Sequence, residues 1–128
     1  MSFISPSPEA SEGQSVGTGH CVPYVQQATK APQTLQWKRG KKVKGDFTVR
    51  KGTAIATFSV EGKYTNSVDG TSHACIYLRQ DASAIYVYDQ WMNKDKTKQP
   101  VHQRAIRFQG GKTGHDAVND GDNYYVVE

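Results

Sequence analysis

The segment Gly17-Thr18-Gly19-His20-Cys21-Val22-Pro23-Tyr24-Val25 places a cysteine where a glycine-rich turn gives way to a helix. Val22, Val25 and Ala28 fall at helical spacing and Pro32 stops the run, so the pattern predicts a helix over residues 21–30. Pro23 fits only in the first turn, where backbone amides have no intrahelical acceptor, and this puts Cys21 at the helix N-terminus. Gly17 and Gly19 supply the freedom a tight entry requires. A thiol at that position gains from unpaired amides and the helix dipole, both of which favour the thiolate. The same amides can donate to the oxyanion formed when a thiolate attacks a carbonyl.

Downstream the pattern changes from helical to strand-like. Residues 53–58, 72–78, 84–90, 101–108 and 123–127 are predicted strands, with a turn at Glu61-Gly62 and a short link at residues 80–83 that makes the second and third a hairpin. A glycine-rich loop covers residues 109–121. The expected architecture is α+β, with one N-terminal helix carrying the cysteine packed on an antiparallel sheet of about five strands.

That hairpin assembles the remaining chemistry. A cysteine nucleophile needs a base, and His73 opens the second predicted strand. The imidazole needs a third group to fix its tautomer, and Asp89, near the end of the next strand, would lie at the same open end of the hairpin. Tyr24, Gln90 and Trp91 are the expected substrate contacts along a groove at the helix N-terminus.

The chain has 128 residues and no compositional break, which indicates one domain over residues 15–128 after a polar, Pro/Ser-rich arm, expected to be flexible, at residues 1–14. Met1–Gln14 lacks the basic start and apolar run of a secretory signal. No apolar stretch approaches the roughly 18 residues of a membrane span, so a protein soluble as made is expected. A net charge of +4 and an isoelectric point near 9.1 suit anionic polymers. Lys38-Arg39-Gly40-Lys41-Lys42-Val43-Lys44 reads as a solvated turn or a docking patch for an anionic wall, and the absence of interleaved aromatics argues against nucleic acid. The histidines and cysteines lack ligand-like spacing, so neither metal nor cofactor is expected.

The segment from Gly17 to Val25 resembles the nucleophile region of CHAP and NlpC-type papain-like peptidoglycan amidases. His73-Ala74-Cys75-Ile76-Tyr77-Leu78 is similar to their histidine strand, and Ile85-Tyr86-Val87-Tyr88-Asp89-Gln90-Trp91 to the strand bearing their third polar residue, which is often His, Glu or Asn among them, so the resemblance sets Gln90 in competition with the favoured Asp89. Within that group the chain looks like small type VI secretion amidase effectors. The resemblance implies a papain-like fold and hydrolysis of an amide bond in the stems or cross-links of peptidoglycan. It also implies export without a Sec signal into a target cell's periplasm, and a cognate immunity protein at home. His20 stands where CHAP domains usually carry glutamine, which leaves the second oxyanion donor open between Gln14 and the His20 side chain.

Other readings of the same residues stay in play. Cys21 could be a buried hydrophobe or pair with Cys75, which shares a strand face with His73 and could approach the site. His73 could be structural, and Trp37 and Trp91 could be core residues. The fold could serve a non-catalytic binding or immunity-like module, or transglutaminase-like transfer or deamidation of a protein. A monomer is expected, with no membrane partner.

Overall fold

In the computed structural model, which describes residues 2–128, three alanines and an isoleucine fix where the helix can sit. The helix α1 (Cys21–Thr29) packs on β3 (Ala74–Gln80) and its neighbour β4 (Ala84–Met92), beside β2 (Ala54–Thr57), on a face where Ala54, Ala56 and Ala74 are fully buried and small enough for close approach. Val22, Tyr24 and Val25 of the helix join them and Ile76 in one apolar cluster. β2 and β3 belong to a six-stranded sheet completed by β1 (Arg39–Lys42), β4 (Ala84–Met92), β5 (Lys98–Arg107) and β6 (Tyr124–Val127). The strand order is β1-β6-β2-β3-β4-β5 and every neighbouring pair is antiparallel.

Strand alternation sends Ile55, Cys75, Tyr77, Val87 and Val126 to the opposite face, where Val43 and Val49 from the β1–β2 connection cover them. The sheet is therefore buried on both sides at its centre, which explains why β2 has no exposed residue. Fully burying such side chains stabilises the fold by about 1.5–3 kcal/mol each relative to exposure. Among the described residues no helix is long and apolar enough to cross a membrane.

The five expected strands are present, and a sixth corrects the reading of the basic run. Lys38–Lys44 is not a turn: its residues 39–42 form β1, paired with β6 through Arg39↔Val127 and Lys42↔Tyr125. An edge strand bonds on one side only and leaves its side chains exposed, so lysines suit it and no apolar alternation marks it.

Met1 lies outside the described residues; the remainder of the expected arm packs on the body. Ile4 bridges Thr53, Ser5 N–H donates to the Gly52 carbonyl, Pro8 is buried, and Gly13 and Gln14 exchange backbone hydrogen bonds with Val101 of β5. These backbone bonds were invisible to composition, because Ser and Pro give no periodic signal. Helix α1 ends one residue earlier than expected, at Thr29, with Lys30 left-handed at φ 63° and its N–H bonded to the Gln26 carbonyl.

Candidate active site

Cys21 is the first residue of α1, and no side chain of the preceding His20 caps the helix, so the first-turn amides remain available. The cysteine opens on a groove of about 690 Å³. Thr18, His20 and Pro23 form one wall, Asn66, Val68 and Ser72 another, and Trp91 and Arg104 lie toward β4 and β5.

His73 sits just before β3, fixed by its backbone: its N–H donates to Thr57 Oγ1 at 3.1 Å and its carbonyl accepts the Thr57 N–H at 3.0 Å. The ring is buried, with Nε2 2.7 Å from Asp89 Oδ2. That contact leaves Nδ1 for the sulfur, and His73 is near enough for its charge to bear directly on the Cys21 thiol. Burial pushes the thiol up, but the charge and hydrogen bond of His73 outweigh it and hold Cys21 below its ordinary value. Burial likewise works against the imidazolium, and the facing Cys21 charge with the Asp89 hydrogen bond carries His73 above its usual range. Each partner's charge therefore favours the charged form of the other.

Asp89 has no exposed surface. Burial opposes its charge, yet His73 and Arg104 keep it below the usual carboxylate range. Arg104 Nε lies 3.0 Å from Oδ1 and 2.9 Å from Oδ2, and its Nη2 lies 2.8 Å from Oδ2. Tyr64, from the β2–β3 connection, brings its hydroxyl to 3.8 Å from Cys21 Sγ and is held by Trp37 at 4.9 Å between ring centroids. Sequence reading missed both residues. Pairing of β4 with β5 places Arg104 opposite Val87, on the face that carries Asp89, so strand parity contained a signal for the arginine. Tyr64 lies in a loop, where periodicity is silent.

Three expected contacts fall elsewhere. Tyr24 is buried under the helix, its hydroxyl facing the Pro8 carbonyl at 3.5 Å, because the helical turn points it into the core and away from the groove. Gln90 is fully buried on the face opposite Asp89: its Nε2 donates to the carbonyls of Val16 and His20, and its Oε1 accepts the Val16 N–H. It therefore neither touches substrate space nor competes for His73; it secures the turn that precedes Cys21. Trp91 does line the groove, with the Arg104 guanidinium 5.0 Å from its ring centroid and His102 edge-on at 5.1 Å.

Cys21 and Cys75 are both free. Cys75 shares a sheet face with Asp89 and Arg104 but is fully buried in the cluster of Ile55, Tyr77 and Val87, so it does not line the groove as its spacing from His73 suggested, and burial pushes its thiol well up. His20 is exposed on the groove wall, whereas Gln14 is engaged through its backbone with Ser11 and Val101 and does not line the groove. Among the described residues no group of three or more His, Cys, Asp or Glu side chains is placed to hold a metal ion.

Comparison with known proteins gives this geometry a context. The family model of domesticated amidase effector 2 matches residues 2–127. The type VI secretion amidase effector 2 protein of Salmonella typhi is 36% identical over 122 residues, covering 90% of each chain. The domesticated amidase effector 2 of Ixodes scapularis is 41% identical over 97 residues, 74% of this chain and 58% of that one. A solved structure of a type 6 secretion amidase effector 2 superposes with a TM-score of 0.82 at 32% identity, over 98% of this chain and 94% of that chain. With its α+β papain-like fold and a match spanning nearly its whole length, the chain belongs to the domesticated amidase effector 2 family, a family of amidases.

Proposed function

We propose that this amidase is a cysteine hydrolase that cleaves an amide bond in the peptide stems or cross-links of bacterial peptidoglycan. The observation that carries the reading is the Cys21–His73 pair lining an open groove, with Asp89 buried behind the imidazole. The Cys21 thiolate attacks the carbonyl carbon, and the resulting oxyanion meets the first-turn amide of Cys21. His73 then passes its proton to the leaving nitrogen as the C–N bond breaks, which releases the amine and leaves a thioester. Water, deprotonated by the now neutral imidazole, attacks the thioester; the carboxylate departs and the sulfur returns to its starting state. Asp89 holds the ring in one tautomer and supports its positive form.

The wider role follows from the relatives named as type VI secretion effectors. The protein is delivered by such a system to a target cell's periplasm, acts there on the wall, and is restrained in the producer by an immunity protein. Trp91 is the groove residue assigned to substrate contact.

The test is mass spectrometry of purified peptidoglycan fragments incubated with wild-type protein and with Cys21→Ala under reducing conditions. Stem peptides hydrolysed by the wild type alone identify the bond. Transfer to an added amine, seen as an adduct mass, points to acyl transfer instead, and two inert profiles reject the wall as substrate.

A further inference from the structure

One charged group at the groove has no part in the scheme above. Arg104 reaches from β5 to a carboxylate with no solvent access and bonds both of its oxygens. With His73 alone as partner, Asp89 would have Oδ1 buried and unpaired, and a buried ion without full compensation is costly. The arginine fork supplies the missing donors in one plane, and the Trp91 ring stacked 5.0 Å from its guanidinium helps hold it there.

Resting on the assignment of Cys21 and His73 as nucleophile and base, we propose that Arg104 is a positioning residue. It keeps Asp89 ionised and aimed at His73, and its charge sets the pH window in which the thiolate–imidazolium pair exists.

The titratable and charged groups around the cluster are Cys21 and Tyr24 from α1, Tyr64 from the β2–β3 connection, and His73 and Cys75 from β3 and its entry. Asp89 and Arg104 come from β4 and β5, and Tyr124 from β6. Apart from the imidazolium, Arg104 is the cation of this set. Removing one positive charge makes every member bind its proton more tightly. Thiolate formation and imidazolium deprotonation must then both move to higher pH, by about one unit or more for a unit charge within about 12 Å at an effective dielectric of about 20.

The experiment is the pH dependence of Cys21 alkylation by iodoacetamide, resolved by peptide mass spectrometry, in wild type, Arg104→Gln and Arg104→Lys. We expect both inflections to rise by about one unit or more in Arg104→Gln, and by less than half as much in Arg104→Lys, which retains the charge but not the fork. Unmoved inflections in Arg104→Gln, or inflections displaced as far in Arg104→Lys as in Arg104→Gln, overturn the proposal. If circular dichroism shows Arg104→Gln unfolded, the double variant Asp89→Asn with Arg104→Gln, which leaves no unpaired buried ion, is compared with Asp89→Asn, and inflections that do not rise on loss of the arginine charge overturn the proposal. Because alkylation needs no wall fragment, this result is independent of substrate; a wild-type Cys21 that alkylates like an ordinary thiol would instead reject its assignment as an activated nucleophile.

Discussion

His73 Nε2 and Asp89 Oδ2 meet at 2.7 Å across the β3–β4 pair, in a site where the carboxylate has no contact with water. Asp89→Asn keeps the size but loses the charge and presents a group that can favour the wrong tautomer. We expect hydrolysis to fall about a hundredfold or more, and stability to drop by about 3 kcal/mol because Arg104 loses its counter-ion. Steady-state rates with urea unfolding check both.

The same variant separates the acid limb of stability. Asp89 titrates at 3.8 when unfolded and lower when folded, so its charge stabilises the fold above pH 3.8, and that contribution is lost as pH falls through the folded value. Wild-type protein should lose stability more steeply than Asp89→Asn below pH 3.8, and urea midpoints measured through that range test it.

The pH profile of hydrolysis should be bell-shaped. Activity rises as Cys21 ionises below its ordinary 9.0, and falls as His73, raised to about 9, loses the proton it must give to the leaving nitrogen. A profile that climbs continuously past the ordinary thiol range would contradict the paired state.

Tyr64→Phe tests the hydroxyl 3.8 Å from the sulfur. The ring packing against Trp37 and Phe58 survives the change, while a donor to the thiolate is lost. Thiolate formation should therefore move up by about one pH unit with little change in unfolding, as a hydrogen bond to a charged group is worth about 1.5–3 kcal/mol. Alkylation kinetics beside thermal unfolding read the two quantities.

Gln90→Leu tests a scaffold role. Three hydrogen bonds, two of them buried, tie Gln90 to the backbone of Val16 and His20, and leucine leaves those groups unsatisfied. A loss of about 2–4 kcal/mol is expected. The turn before Cys21 loosens with it, so hydrolysis should decline even under conditions where the variant stays folded.

How far the chain itself announces this arrangement depends on which force speaks locally. The proline in the first turn and the apolar positions after it marked α1, and alternating apolar residues marked β2 to β6, since helix and strand periods are written directly in the order of side chains. The edge strand β1 escaped, because a strand solvated on its outer side needs no apolar pattern, and the arm escaped because backbone hydrogen bonds hold it. Asp89 and Gln90 are adjacent and chemically alike, and only the pleat, which turns one toward His73 and the other toward Val16, separates them.

From the sequence by itself came the order of helix and strands and the cysteine at the helix start, both set by local periodicity and backbone stereochemistry. The tertiary structure alone decided which side chains stand around the sulfur. Tyr64 and Arg104 arrive from a loop and an outer strand, and Tyr24 and Cys75 depart into the two cores. Those meetings depend on strand order and on which face each residue turns to, and both are settled only when the sheet buries its two sides.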